Sequence, residues 1–194
     1  MYAAPDYAYG VEPNDFLKTI SFKPHSKILC LAEGQGRNAV YLAALGHDIT
    51  MLDYSETGLQ RAQELAQTKG VNIATICADL AEYTLEESAW DAIVIVFGHF
   101  PISIRQTLYP QITKALKPDG IFVSETYSPE QVEFATGGPK DASMMASEEE
   151  LQSYFSSSEG LTISIQNVIR NIQEGEYHNG ESSVIQTVVR KAND

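Results

Sequence analysis

Positive charge is scarce in this sequence: 13 lysines and arginines stand against 26 aspartates and glutamates, a formal net charge of -13 over 194 residues. An acidic surface repels phosphate backbones and anionic bilayers, which sets nucleic acid and membrane aside as partners. Cysteine is nearly absent. Cys30 and Cys77 are the full set, and both fall in runs that read as core strands, where a thiol packs as a small hydrophobe. Two such distant thiols indicate reduced side chains rather than a disulfide framework, and the histidine spacings give no metal motif. No apolar run approaches the length of a membrane span. The start, Met1-Tyr2-Ala3-Ala4-Pro5-Asp6, lacks the basic region and apolar stretch of a signal peptide, so a soluble, cytoplasmic protein is expected. Repeats, low-complexity tracts and linkers are missing too. The sequence is therefore read as one domain over residues 1–194, with 43% hydrophobic residues to fill a single core.

What is present is an alternation of strands and helices organised by one stretch, Ile28-Leu29-Cys30-Leu31-Ala32-Glu33-Gly34-Gln35-Gly36-Arg37-Asn38-Ala39. An uninterrupted apolar run predicts a strand covered on both faces. Gly34 and Gly36 permit positive φ and close approach of a ligand to the backbone. Arg37 to Leu45 then reads as a helix that Gly46 stops. The pattern Gly34-x-Gly36-x-x-Ala39, with Asp53 further on, satisfies a relaxed dinucleotide fingerprint. Glu33 argues otherwise, because a carboxylate beside the turn repels a pyrophosphate. It attracts the ammonium and sulfonium of S-adenosylmethionine (SAM), which carries no phosphate. The bland alternative is a Glu33 that points to solvent.

Further strands are expected over 47–53, 72–77, 92–97 and 121–127, and helices over 56–68 (stopped by Gly70) and 101–116, the latter kinked or divided at Pro110. Pro13 suits the first position of a short helix carrying Phe16, Leu17 and Ile20. Residues 81–90 read as an acidic turn and 117–120 as a turn into the fifth strand. Parallel strands with right-handed crossovers place ligands beyond the strands' carboxyl ends. Glu33, Asp53, Asp79, Phe97 and Tyr127 all fall there. Residues 128–146 form a long irregular loop, and Ser147 opens a helix with capping-box spacing. Strands over 161–171 and 183–191, joined by a turn at 174–180, predict an antiparallel hairpin at the sheet's edge. The fold class is thus α/β, a doubly wound Rossmann-like sheet of five parallel strands plus a C-terminal antiparallel hairpin, seven strands in all. Tyr2, Tyr7 and Tyr9 make residues 1–12 either a lid or a surface arm, with 1–20 as an arm and helix over the pocket.

Several residues are candidates for chemistry. His99, in Phe97-Gly98-His99-Phe100, suits a general base or substrate contact; its alternative is a ring bonded to neighbouring backbone. Glu125 and Tyr127 share a strand face and are candidate acceptor-pocket residues, with Thr126 on the other face. His178, in the hairpin turn, is expected at the surface. Asp53 is either a ligand contact or a helix cap, and Ser55 is better placed to cap.

Over nearly its whole length the chain resembles class I SAM-dependent methyltransferases. Leu31 to Asn38 resembles that family's glycine motif: Gly34 and Gly36 match, while Ala32 and Glu33 depart from the commoner Gly-Cys pair. Asp53 matches the acidic residue that binds the ribose hydroxyls. Asp79-Leu80 matches the pair beside the adenine, and Leu116-Lys117-Pro118-Asp119-Gly120 resembles the turn before strand five. Gly36-Arg37-Asn38 and Tyr9-Gly10-Val11-Glu12-Pro13-Asn14 are similar to the tellurite-resistance and thiopurine-type branch. The resemblance implies a SAM site at Ala32, Glu33, Gly34, Gly36, Asn38, Asp53, Tyr54, Ser55, Asp79, Leu80 and Phe97. It implies methyl transfer by in-line displacement to a small-molecule or oxyanion acceptor, with His99 and Tyr127 as catalytic candidates. The competing readings are an NAD(P)-dependent oxidoreductase and a non-catalytic SAM-binding protein.

Overall fold

The computed structural model describes residues 7, 9–134, 136–175 and 178–193; the expected role of Tyr2 lies outside them. In chain order the elements are α1 (Asp15–Lys18), β1 (Lys27–Leu31), α2 (Arg37–Ala44), β2 (Asp48–Asp53), α3 (Glu56–Lys69), β3 (Ala74–Cys77), β4 (Trp90–Val96), α4 (Ile102–Ala115), β5 (Leu116–Tyr127), α5 (Glu148–Ser156), β6 (Leu161–Glu174) and β7 (His178–Lys191). One seven-stranded sheet runs β3-β2-β1-β4-β5-β7-β6. Strands β1 to β5 pair in parallel, and β7 pairs antiparallel with both β5 and β6. The order reverses between β1 and β4, and that switch point is where the site lies.

Strand alternation divides the core in two. Ile28, Cys30, Ile49, Met51, Ala92, Val94 and Val123 face α2 and α3. Leu29, Leu31, Leu52, Ile93, Ile95 and Phe122 face Leu108, Tyr109 and Ile112 of α4 and Leu151 and Phe155 of α5. Strand β6 changes which of its faces is covered. Leu161, Ile163 and Ile165 pack toward the α4–α5 side, whereas Val168 and Ile172 join Tyr127 on the opposite one.

Several boundaries differ from the sequence reading. Cys77 is exposed, because β3 is the last strand of the sheet and no neighbour covers its outer edge. Asp15 rather than Pro13 begins α1, and Asn14 caps it, its side chain accepting from the Leu17 N–H. Pro110 sits inside a continuous α4. Lys117 to Gly120 forms an irregularity within β5 where its register with β4 jumps from Trp90↔Leu116 to Ala92↔Ile121. Ser55, Gly70 and Ser147 hold the cap positions their types suggest. Among the described residues, no helix is long and apolar enough to cross a membrane.

Ala32 occupies a left-handed conformation, φ 53°, directly after β1. Such a conformation costs an L-residue about 1–2 kcal/mol, and the extra unfolded-state freedom of a glycine offsets about 0.4–1 kcal/mol of any relief. Ala32→Gly should therefore stabilise the fold by roughly 0.5–1 kcal/mol and raise the melting temperature by about 1–4 °C, read by thermal denaturation; a lower melting temperature would show that the Ala32 methyl contributes packing that outweighs its strain.

Candidate active site

The turn after β1 shapes the first wall. Gly34 and Gly36 have φ of 59° and 80°, but their uses differ. A Cβ on Gly36 would lie 2.4 Å from the Ala62 Cβ, so this glycine lets α2 pack closely on α3. Gly36 offers α2 no side-chain cap; Glu33 supplies one. Its Oε1 accepts from the backbone N–H groups of Asn38 (2.8 Å) and Ala39 (3.1 Å), and a carboxylate there complements the positive end of the helix. Glu33 is buried rather than turned to solvent. Burial is the largest influence on its carboxyl and pushes the pKa up to about 7, against the Arg37 guanidinium and the Asn38 and Ala39 N–H groups, which lower it.

Asp53 ends β2 and is fixed through both oxygens. Oδ2 accepts from Gly34 N–H at 2.8 Å and Oδ1 from Ser55 N–H at 2.9 Å. The cap of α3 is Ser55, whose Oγ accepts from Gly58 N–H at 3.1 Å. Asp53 is buried yet borders a cavity of about 490 Å³ lined also by Leu52, Tyr54, Ala78, Asp79, Leu80, Phe100, Pro101 and Ile104. A second cavity of about 380 Å³ is lined by Tyr9, Gly10, Glu33, Gly34, Gly36, Arg37, Asn38, Gly137, Gly138, Pro139 and His178. Ala32, Phe97 and His99 border both cavities, so the two meet at the switch point. Of the residues expected at the site, Ser55 and Tyr127 stand behind these walls rather than in them.

His178 is the main departure from expectation. It is buried, because β7 begins at residue 178 and carries the ring into the sheet rather than leaving it in a turn. The imidazole is stacked between Phe97 (4.3 Å between centroids) and Tyr9 (4.6 Å). Its Nδ1 lies 2.7 Å from the Tyr127 hydroxyl. The Tyr127 backbone N–H donates to His99 Nε2 at 3.0 Å, which assigns the His99 proton to Nδ1, and that ring also bonds the Phe97 backbone. Burial holds both imidazoles down to about 3; His178 assists at His99, and Arg37 and Arg170 assist at His178. Both rings are neutral at ordinary pH.

Beneath these walls lies a network that composition and motifs did not reveal. Arg170 reaches both oxygens of Glu125 (2.5 and 3.1 Å) and Glu174 Oε1 (2.8 Å). Arg37 Nη2 donates to Glu174 Oε2 at 2.6 Å. Asn14 Nδ2 donates to Glu125 (2.7 Å) and Glu174 (2.9 Å), and Gln186 to Glu125 (2.7 Å). Two carboxylates and two guanidiniums thus neutralise one another, with Arg170 alone of the four partly exposed. Glu125, expected to line the acceptor pocket, is fully buried here. One sequence signal was available: Val168, Arg170, Ile172 and Glu174 recur at a spacing of two, the period of one strand face.

Removing one partner of a buried pair strands the other charge. Glu174→Ala should cost about 3–5 kcal/mol, measured by chemical denaturation, and a loss below 1 kcal/mol would show that water already screens the network. Glu33 gives a second test. Its folded pKa, about 7, lies above the ordinary value of 4.5, so the folded state binds its proton more tightly than the unfolded chain. That contribution is present below 4.5 and is lost as pH rises to about 7. Glu33→Gln should flatten the stability profile between those values, and an unaltered slope would contradict the assignment.

Comparison with known proteins accords with this geometry. Residues 28–120 match the methyltransferase domain family. The chain is 30% identical over 104 residues to the uncharacterized methyltransferase YbaJ of Bacillus subtilis, a match covering 53% of this chain and 41% of that protein. It is 33% identical over 93 residues to the probable SAM-dependent methyltransferase TehB of Haemophilus influenzae, covering 47% and 31%. These matches span less than half of either relative. Among solved structures, TehB from Haemophilus influenzae superposes with a TM-score of 0.71 at 21% identity, over 91% of this chain and 60% of that one. A structure concerned with conversion of a disulfide bond into a thioacetal group during echinomycin biosynthesis superposes with a TM-score of 0.74 at 19% identity, over 97% and 87%. At such identities the likeness establishes the fold. Residues 28–120 are thus similar to the methyltransferase domain family, and the fold of the chain is similar to that of TehB.

Proposed function

We propose that the protein transfers the methyl group of SAM to a small-molecule acceptor. The observation that carries this reading is the Asp53 carboxylate, buried at the cavity wall with one backbone N–H on each oxygen. Each oxygen keeps acceptor capacity for a ribose hydroxyl, a charge-assisted bond. The chamber around Asp53, with Asp79 at its mouth and Leu80, Phe100 and Ile104 as apolar surface, fits an adenosine. The chamber beside Glu33, Gly34 and Asn38 fits the amino-acid end, where the Glu33 carboxylate meets an ammonium. The residues therefore fit the family's cofactor. SAM supplies an electrophilic methyl group on a sulfonium, with a neutral thioether as leaving group.

The chain's own task is to position, enclose and take up a proton. Orientation alone can contribute about 7–11 kcal/mol. His99 lies at the junction of the chambers with its nitrogens committed to the backbone, so it fixes the ends of β4 and β5. Tyr127 acts through His178, holding Nδ1 and leaving Nε2 to meet the acceptor and receive its proton.

The α2 N-terminus also separates this reading from a dinucleotide oxidoreductase. A pyrophosphate needs the first helical N–H groups, and Glu33 already occupies those of Asn38 and Ala39. Calorimetry tests the proposal: Asp53→Ala should weaken binding of S-adenosylhomocysteine at least 100-fold, with NADH silent on both proteins. Equal affinity in wild type and variant, or binding of NADH alone, would overturn it. Tight binding without turnover of any acceptor would instead support the non-catalytic reading.

A further inference from the structure

Among the described residues, the Glu33 chamber offers an acceptor that enters beside His178 no unspent positive charge. Of the chain's 13 lysines and arginines, Arg37 alone lines either cavity among the described residues. Its Nη2 is bound to Glu174 and its Nη1 donates to the Glu12 carbonyl at 3.1 Å. The next guanidinium inward, Arg170, is shared between Glu125 and Glu174. Among the described residues, the other ionisable groups on the walls besides the histidines and tyrosines are the carboxyls of Glu33, Asp53 and Asp79, none of which supplies positive charge. A helix N-terminus often serves as an anion site, but here a resident carboxylate fills it. The surrounding surface adds its own repulsion through the net charge of -13.

What the chamber offers instead is flat and polarisable. Tyr9, His178 and Phe97 form a stack, and Gly137 and Gly138 line the same cavity. A Cβ on Gly138 would come within 2.7 Å of the Tyr127 ring, so that loop lies flush against the tyrosine. Resting on the reading that these chambers hold the methyl donor, we propose that the acceptor is an uncharged, ring-sized or smaller molecule bearing an S–H or O–H group, and that the walls select against oxyanions and carboxylates. The neutral His178 imidazole adds to this selection: it offers a hydrogen-bond partner and no positive charge. Of the donor's two cations the ammonium faces Glu33, which leaves the sulfonium as the one an anion would meet. The acceptor's sulfur or oxygen bonds to the methyl carbon as the carbon–sulfur bond breaks toward the donor sulfur, and the S–H or O–H proton leaves to His178 and then water.

The test uses matched probes on the full chain loaded with S-adenosylhomocysteine: 4-methylphenol against 4-hydroxybenzoate, and 2-mercaptoethanol against selenite. Affinity is read from the His178 imidazole resonances by NMR, and turnover with SAM from product mass. A neutral-to-anion affinity ratio of at least ten in both pairs supports the proposal. A ratio of one or less, or no binding by either uncharged probe, overturns it. Failure of S-adenosylhomocysteine to bind would instead sink the donor reading, and the probes would still report the preference of the chamber. Glu174→Gln, checked for folding by circular dichroism, unmasks the guanidiniums and should raise selenite affinity at least tenfold; an unchanged affinity in a folded variant counts against charge pairing as the source of the selection.

Discussion

The buried ion network beneath the cavity joins parts of the chain that lie far apart in sequence. Asn14 comes from the N-terminal segment, Arg37 from the first helix after the glycine turn, Glu125 from β5, Arg170 and Glu174 from β6, and Gln186 from β7. Burying Arg37, Glu125 and Glu174 and half-burying Arg170 is expensive, and their mutual attraction offsets the loss of water only with good geometry and filled hydrogen-bonding capacity. Those conditions are met here, and the arrangement fixes where the hairpin lies relative to the parallel sheet. Asn14 extends the link upward: its N–H donates to Asn38 Oδ1 at 2.8 Å, and Asn38 N–H donates to Glu33. The floor of the site and the glycine turn are one connected structure.

On that floor the site is divided by chemistry. The Asp53 side is carboxylate and apolar surface, suited to a nucleoside. The Glu33 side is a turn, a capped helix and a stack of rings. Phe97, held at φ 51° with its N–H donating to the Glu125 carbonyl at 2.8 Å, stands between them. A non-glycine residue in that conformation is sustained by its surroundings. At Phe97 those surroundings are the His178 stack and the end of β5.

The sequence carried the architecture because the parallel strands are short apolar runs whose period is plain: Ile28 to Leu31 and Ala92 to Val96 are unambiguous. Ser55 and Gly70 were legible for a related reason, since each caps a helix within a few residues of its own position. The network was not. Arg37 and Glu174 are partners 137 residues apart, and no local pattern pairs two charges over such a distance. His178 was misplaced because the polar stretch from Glu174 to Gly180 reads as a turn, whereas pairing with β6 draws residue 178 into the sheet. The extent of β5 was missed for a similar reason: Lys117 to Gly120 looks like a boundary, and the ladder instead absorbs it as a register jump.

The central claim is that the two adjoining chambers form one donor site anchored by Asp53. A crystal structure with S-adenosylhomocysteine tests it most directly. The account predicts one ligand spanning both chambers, its ribose hydroxyls within about 3 Å of the Asp53 oxygens and its ammonium beside Glu33. A ligand lying elsewhere, or one that leaves Asp53 facing water, would contradict it.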